Sequence, residues 1–202
     1  MSRSPATRLP AEQRRRQLLD VACAQFADNG FHATSMEDVA AAAGVTKPVL
    51  YQHFPSKRAL FVELLDDVGH QLLRELATAT SAAHTGRERV EEGFAAYFRF
   101  VSANEGAFRV LFGASARNDS EFAEIVERVL DESADAISQL IEIDGTTEHR
   151  RVLAHALIGI AEATSRDALS GGADPAILAR WVSELVWFGL RGVRAEETVA
   201  RS

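Results

Sequence analysis

Two short helical segments joined by a single glycine constrain the fold of this chain more than any other feature. The first begins at Ser35, and Asp38 three residues later completes the spacing of a capping box, in which each side chain accepts a hydrogen bond from the other residue's backbone N–H. Gly44 suits the left-handed conformation that ends such a helix, and Thr46 suits the N-cap of the next one. The two predicted helices cover residues 35–44 and residues 46 to 54 or 55. Together they are expected to form a helix-turn-helix.

The remainder of the chain is predicted to be helical as well. Apolar residues recur every three or four positions, as in Leu18, Ala22 and Phe26, and no run alternates apolar and polar residues as a half-buried strand does. The other predicted helices cover residues 10–29, 56–83, 87–103, 107–112, 120–143, 148–169 and 174–193, with a loop over 113–119. The chain is therefore expected to be all-α with about nine helices, an N-terminal three-helix domain being followed by a C-terminal helical domain.

Length and composition exclude several classes of protein. The longest apolar stretches in the 202 residues, 152–161 and 185–190, are shorter than the ~18–20 residues that a membrane span needs. The first 25 residues contain no continuous apolar segment of the kind found in a secretory signal. A single cysteine, Cys23, allows neither an intrachain disulfide framework nor a multi-cysteine zinc site. We therefore expect a cytoplasmic protein.

Charge is distributed unevenly along the chain. Residues 1–60 hold eight basic and five acidic residues, a net charge of +3, whereas residues 61–202 hold 14 basic and 24 acidic residues, a net charge of −10. This asymmetry favours a basic end that meets a polyanion and an acidic body that does not. An asymmetry of this size also arises by chance, so charge alone leaves both interpretations open.

A longer pattern around the helix-turn-helix identifies a family resemblance. The residues that stand in its fixed spacing are Phe26, Gly30, Phe31, Thr34, Ser35, Met36, Val39, Ala40, Ala43, Gly44, Val45, Thr46, Leu50, Tyr51, His53, Phe54, Lys57 and Leu60. Over residues 12–62 the sequence resembles the N-terminal DNA-binding region of the TetR family of bacterial transcriptional repressors. Residues 47–54 are similar to actinobacterial members that control lipid genes in response to long-chain acyl-CoA.

The resemblance implies a DNA-binding repressor rather than an enzyme. It implies a homodimer that binds a palindromic operator in double-stranded DNA. Residues 1–55 would bind DNA, and residues 56–202 would dimerise and bind a small hydrophobic effector, such as long-chain acyl-CoA or a fatty acid. No cofactor or metal is expected.

The resemblance and the residue chemistry together select candidate DNA contacts. Lys47 projects from the first turn of the second helix, where lysine can donate to guanine O6 and N7. Lys57 stands in the first turn of the next helix, where a cation opposes the helix dipole unless a phosphate docks there. Arg16 contacts a phosphate or pairs with Glu12 four residues earlier. The full predicted set is Arg16, Ser35, Met36, Thr46, Lys47, Pro48, Tyr51, Gln52, His53 and Lys57.

Two further groups are predicted in the C-terminal part. Aromatic and apolar residues in the fifth to seventh helices line an effector pocket or simply form core, and an arginine could hold an anionic group at the pocket mouth. That group comprises Phe94, Tyr97, Phe98, Val101, Phe108, Arg109, Phe112 and Phe122. The last two helices carry more apolar residues than one buried face requires, which predicts a dimer interface. Its candidates are Leu157, Ile160, Trp181, Leu185 and Phe188.

An all-α metal protein or enzyme of the ferritin-like type is the alternative. Asp67 and His70 have the i, i+3 spacing of a carboxylate–histidine helix, but such sites need a second motif of this kind and two further glutamates. The chain has no second Glu-x-x-His, and no G-x-S-x-G or H-E-x-x-H motif. This alternative is therefore disfavoured on sequence.

Overall fold

The computed structural model describes residues 10–191, apart from the side chains of residues 114–115, 167–171 and 190–191. Its helices are α1 (Ala11–Ala33), α2 (Met36–Ala42), α3 (Lys47–His53), α4 (Lys57–Ser81), α5 (Gly86–Ala103), α6 (Glu105–Phe112), α7 (Ala114–Asn118), α8 (Ser120–Leu140), α9 (Thr147–Gly171) and α10 (Pro175–Arg191). This range contains no strand, which confirms the all-α prediction. No helix among the described residues is long and apolar enough to cross a membrane.

One predicted loop is wrong. The segment 113–119 was expected to be irregular because Gly113 and the Asn118–Asp119 pair are loop residues. Between them, however, α7 forms one helical turn and a little more, with Gly113 as its N-cap and Asp119 as its C-cap. The alanines and arginine of that segment have high helix propensity, and the loop residues only limit its length. The predicted end of the last helix, near residue 193, lies outside the described residues.

The local signals that delimit the first helices mostly hold. Ser35 and Asp38 form the predicted capping box at the start of α2. The Ser56 hydroxyl accepts from the Ala59 N–H at 3.0 Å and caps α4. Gly30 has φ 76° and kinks α1 near its end. The starts of α2 and α4 therefore follow from local chemistry.

The chain packs as two units. Unit 1 contains the described residues up to Asp67 together with Gly106–Ala123, and unit 2 contains Val68–Glu105 together with the described residues from Glu124 onward. The core of unit 1 is aromatic. The Phe61 ring lies 5.0 Å from that of Phe26, 5.0 Å from that of Phe31 and 4.6 Å from that of Phe122, centroid to centroid.

Unit 2 is organised around α5. This helix packs against α10 and α9 and buries Phe94, Ala96, Tyr97, Phe98 and Val101. Several hydroxyl groups are also buried in unit 2, among them those of Tyr97, Ser165 and Ser183. Burial raises the pKa of Tyr97 to about 12, and a hydrogen bond to Ser165 opposes that rise. The core of unit 2 is thus mainly apolar and contains a few polar groups.

Candidate nucleic-acid interface

The turn between α2 and α3 is fixed by its own backbone hydrogen bonds. Gly44 has φ 65°, the left-handed region that favours glycine. The Gly44 N–H donates to the Ala41 carbonyl at 3.1 Å and the Val45 N–H donates to the Ala40 carbonyl at 3.0 Å. These two bonds are the pair that defines a Schellman motif. They end α2 sharply and set the direction in which α3 leaves the turn.

One face of α3 is anchored and the other is exposed. Leu50 and Phe54 are fully buried and hold the helix against unit 1. The exposed residues recur at helical spacing, and Tyr51 among them keeps 41% of its surface accessible. They are Thr46, Lys47, Pro48, Tyr51 and Gln52. The structure therefore brings half of the predicted DNA contacts onto one accessible face.

Lys47 on this face is paired within the chain. Its ammonium forms a salt bridge with the carboxylate of Glu37 on α2 and lies 5.8 Å from the centroid of the Tyr51 ring. The hydrogen bond between the two side chains raises the pKa of Lys47 and lowers the pKa of Glu37. Both residues are exposed, so the pair is accessible to a competing anion or base edge.

Thr46 occupies the predicted N-cap of α3, but its side chain makes no capping hydrogen bond. An N-cap hydroxyl accepts from the second or third N–H of its helix. The second residue of α3 is Pro48, which has no N–H, and the N–H of Val49, the third, donates to the backbone carbonyl of Thr46 at 3.0 Å. The expectation of a side-chain cap was wrong, and this hydroxyl is left exposed at the start of α3.

Other predicted contacts have roles inside the chain. The Ser35 side chain is used in the capping box. Met36 is only 4% exposed, so its side chain belongs to the core rather than to an exposed surface. Arg16 does not pair with Glu12 in the way expected; it forms salt bridges with Asp20 at 2.9 Å and Asp67 at 2.7 Å.

Arg15 is a structural residue that the sequence analysis missed. Its guanidinium pairs with the Glu63 carboxylate and donates to the His53 carbonyl at 2.8 Å. It also stacks over the Phe54 ring at 4.5 Å. Arg15 thereby joins α1, the end of α3 and α4. Arg15 stands three residues before Leu18, and this spacing places it on the buried side of α1. Its basic neighbours Arg14 and Arg16 instead suggest an exposed basic segment, which hides this signal in the sequence.

Lys57 and His53 lie at the other end of the same region. His53 is half-buried, and its backbone carbonyl receives the Arg15 hydrogen bond. The Lys57 ammonium donates to the backbone carbonyls of Phe31 at 2.7 Å and Thr34 at 2.8 Å. The prediction of a phosphate contact for Lys57 did not include this intrachain role.

Comparison with known proteins identifies the family. Residues 18–64 match the model described as "Bacterial regulatory proteins, tetR family", and residues 86–189 match the model described as "Tetracyclin repressor-like, C-terminal domain". The HTH-type transcriptional activator FasR of Mycolicibacterium smegmatis is 34% identical over 161 residues, which are 79% of this chain and 74% of FasR. The chain belongs to the TetR family. It is a transcriptional regulator of that type, so the ferritin-like alternative is wrong.

Solved structures of TetR-type regulators share the fold. A TetR-like transcriptional regulator from Rhodococcus sp. RHA1 has 30% sequence identity and a TM-score of 0.76, covering 92% of this chain and all of that one. FadR from Bacillus subtilis, solved in complex with stearoyl-CoA, has 17% identity and a TM-score of 0.73, covering 89% of this chain and 99% of FadR. In the part of this TetR-family chain that the structure describes, no three His, Cys, Asp or Glu side chains group as metal ligands.

The predicted effector residues fall into different units of this TetR-type chain. Phe94, Tyr97, Phe98 and Val101 lie together on α5 in unit 2, and all four are buried. The others belong to unit 1. They are Phe108, Arg109, Phe112 and Phe122. Arg109 is exposed and lies 3.7 Å from Asp28, and Phe122 is part of the aromatic core of unit 1. The four α5 residues therefore lie together in unit 2, and the Phe108 and Phe112 rings lie 4.9 Å apart in unit 1.

The predicted dimer residues differ in accessibility. On α10, Trp181, Leu185 and Phe188 are 58%, 67% and 68% exposed, an unusual accessibility for large apolar side chains. On α9, Leu157 and Ile160 are half-buried. A Cβ at Gly159 on α9 or at Gly189 on α10 would meet nothing within 4 Å. Members of the TetR family act as dimers on DNA operators, and the exposed apolar side chains of α10 are candidates for such a contact.

Proposed function

We propose that this TetR-family regulator binds a palindromic DNA duplex through the exposed face of α3. The observation that carries the proposal is the separation of α3 into an anchored side, held by Leu50 and Phe54, and an accessible side that carries Lys47, Tyr51 and Gln52. A helix displayed in this way fits a major groove about 12 Å wide. Residues 1–55 form the DNA-binding domain in this proposal, and residues 56–202 the effector and dimerisation domain.

Each exposed side chain of α3 has a role in the proposal. Lys47 donates to guanine O6 and N7, and Gln52 is suited to the N6 and N7 edge of adenine. The Tyr51 hydroxyl donates to a phosphate oxygen, and Pro48 makes apolar contact, for instance with a thymine methyl. Thr46, whose hydroxyl is not used as a cap, donates to a second phosphate oxygen. Phosphate contacts fix the register, and base contacts supply sequence preference.

Two copies are proposed to associate through α9 and α10. Ile177, Trp181, Leu185 and Phe188 are exposed at spacings of three or four residues, which places them in one stripe along α10. Gly159 and Gly189 have no side chain and open space around them, which permits close approach of a partner helix. A two-fold seam of four helices would bury this stripe. It would also present two α3 helices to half-sites about 34–36 Å apart.

We further propose a hydrophobic effector, with long-chain acyl-CoA or free fatty acid as the chemical class, and repression as the direction of control. The buried aromatic group on α5 supports an apolar ligand, and the buried hydroxyls of Tyr97 and Ser165 are candidates to bond to its polar end. The stearoyl-CoA bound to Bacillus subtilis FadR, a protein of the same fold, supports the class. Repression is the simpler direction of control, because a regulator that occupies its operator is sufficient to block transcription. DNA binding places the protein in the cytoplasm.

The test begins with a duplex that the wild-type protein enriches from a random-sequence library. Its affinity and that of a scrambled duplex of the same length are then measured by fluorescence anisotropy. The double variant Lys47→Ala, Tyr51→Ala should bind the enriched duplex at least about 100-fold less tightly, because a good base contact contributes ~1–3 kcal/mol and two copies lose it. Arg74→Ala, at an exposed position on α4, is the control and should bind normally. Equal affinity of the double variant and wild type would reject α3 as the recognition helix.

A further inference from the structure

The Lys57 ammonium is surrounded by acceptors from its own chain. Besides the Phe31 and Thr34 carbonyls at 2.7 and 2.8 Å, it donates to the His32 carbonyl at 3.3 Å. Its nitrogen also lies 4.5 Å from the centroid of the Phe31 ring, within the range of a cation–π contact. A lysine ammonium has three donor hydrogens. All three are therefore accounted for by backbone carbonyls, and the side chain is half-buried.

These carbonyls belong to the corner between α1 and α2, residues 30–35. The last carbonyls of a helix lack intrahelical partners and form the negative end of its dipole. Gly30 kinks the chain there, and the Thr34 N–H and hydroxyl both bond to the Gly30 carbonyl, at 3.3 and 2.9 Å. Lys57 donates to the carbonyls of Phe31, His32 and Thr34. Its charge thus satisfies the end of α1, which offsets its unfavourable position in the first turn of α4.

The corner determines how the DNA-binding helices are presented. Ser35, which follows Thr34 directly, caps α2. α2 contacts α3 and ends in the Schellman motif that directs it. A shift of residues 31–34 would therefore move the start of α2 and the exposed face of α3 with it.

We infer that Lys57 is a positioning residue for DNA binding, which acts through the α1–α2 corner and not through contact with a phosphate. This inference rests on the proposed function. To reach a phosphate, the ammonium would have to break its hydrogen bonds to three carbonyls, two of which belong to the buried residues Phe31 and Thr34, and losing a hydrogen bond at a buried group is costly. The sequence predicts a phosphate contact for Lys57 instead. The two roles differ in how the affinity for DNA depends on the salt concentration. A lost phosphate contact reduces the slope of log K against log[salt] by about 0.9, whereas a lost positioning contact leaves the slope unchanged.

The test compares Lys57→Met, which keeps the length of the side chain and removes its charge, with wild type. Affinity for the enriched duplex is measured between about 50 and 200 mM KCl, at a temperature at which each variant is fully folded. Leu64→Val, a buried substitution further along α4, controls for loss of stability alone and should bind with wild-type affinity. Should Lys57→Met fail to fold, Lys57→Gln retains two neutral donors and replaces it.

We expect Lys57→Met to bind about tenfold or more weakly with an unchanged salt slope, and to show faster amide hydrogen exchange in residues 31–36. A slope reduced by about 0.9 or more per chain would establish a phosphate contact and overturn the inference. Unchanged affinity in the folded variant would also overturn it, because Lys57 would then serve stability only. If wild type enriches no duplex, the proposed function fails. In that case, amide hydrogen exchange in residues 31–36 of Lys57→Met and wild type shows by itself whether Lys57 stabilises the corner between α1 and α2.

Discussion

Lys47 on α3 is joined to Glu37 on α2 by a salt bridge across the turn of the helix-turn-helix. Both side chains are about half exposed, at 50% and 58%, so the pair itself contributes little to stability. Its effect is on charge, because the carboxylate neutralises the one lysine on the exposed face of α3. In the proposed function, Glu37 thereby limits the attraction of that face for DNA phosphates, whatever the base sequence.

The substitution Glu37→Gln should therefore increase non-specific DNA binding. We expect several-fold tighter binding to the scrambled duplex at low salt and a steeper dependence of affinity on salt concentration, because an unpaired cation on the DNA-facing surface displaces more counterions. Fluorescence anisotropy over a salt series measures both. Glu75→Gln, at an exposed position on α4, changes the net charge equally and should leave both unchanged. A Glu37→Gln variant that behaves like this control would show that the pair does not govern DNA affinity.

Much of the fold is predictable because it depends on short-range signals. The capping box at Ser35, the cap at Ser56 and the turn at Gly44 each involve residues within five positions of one another, so the sequence displays them directly. Leu50 and Phe54 are buried on one side of α3. The exposed face of α3 follows, since its residues are the remaining positions of that helix.

The features that escaped prediction depend on contacts between distant residues. Lys57 meets carbonyls more than twenty positions earlier, and Arg15 meets Glu63 48 positions later. Phe122, a candidate for either an effector pocket or the core, is 1% exposed in the core of unit 1, against Phe31 and Phe61. Spacing along one helix shows that such residues are buried, but it does not show which element covers them.

The exposed stripe on α10 predicts the effect of a charge at its centre. Leu185→Asp should convert a dimer into monomers, because a carboxylate buried in an apolar seam without a partner is strongly unfavourable. Sedimentation velocity at micromolar concentration measures the change. Leu140→Asp, at another exposed leucine on α8, is the matched control and should remain dimeric. A monomeric wild type, or a dimeric Leu185→Asp variant, would contradict the proposed seam.

Cys23 is expected to be unreactive in the folded protein. Burial, reinforced by the nearby Asp20 carboxylate, raises the pKa of its thiol from 9.0 to about 11. At pH 8 the thiolate, which is the reactive form, is then about 100-fold scarcer than in the unfolded chain. Because the folded pKa is the higher one, the stability associated with this thiol is complete below pH 9 and is lost as the pH rises from 9 through 11.

Reaction with an aromatic disulfide reagent at pH 8, in buffer and in guanidinium chloride, tests this expectation. The native protein should react at least about 100-fold more slowly than the unfolded one. Similar rates in the two conditions would mean that Cys23 is accessible and that its pKa is not raised. Cys23→Ser provides the blank.

The proposed effector class predicts a dependence on chain length. Each buried CH₂ contributes ~0.8 kcal/mol, so affinity should rise about fourfold per methylene until the site is filled. A series of acyl-CoA esters and free fatty acids from butyryl to stearoyl, with coenzyme A alone as the control, can be followed by thermal shift and by gel shift with the enriched duplex. Long chains should alter both signals and short chains neither. Absence of any length dependence would reject the lipid effector while leaving DNA binding intact.

The base preference of a Lys47→Ala variant tests the central claim most directly. Wild type and variant are used to select duplexes from the same random library, and the bound pools are sequenced. Wild type should enrich a palindrome with half-site centres about 34–36 Å apart, and Lys47→Ala should lose preference at one base pair in each half-site while retaining the others. Enrichment of no palindrome by wild type, or identical preferences for both proteins at every position, would contradict α3 as the helix that contacts the bases.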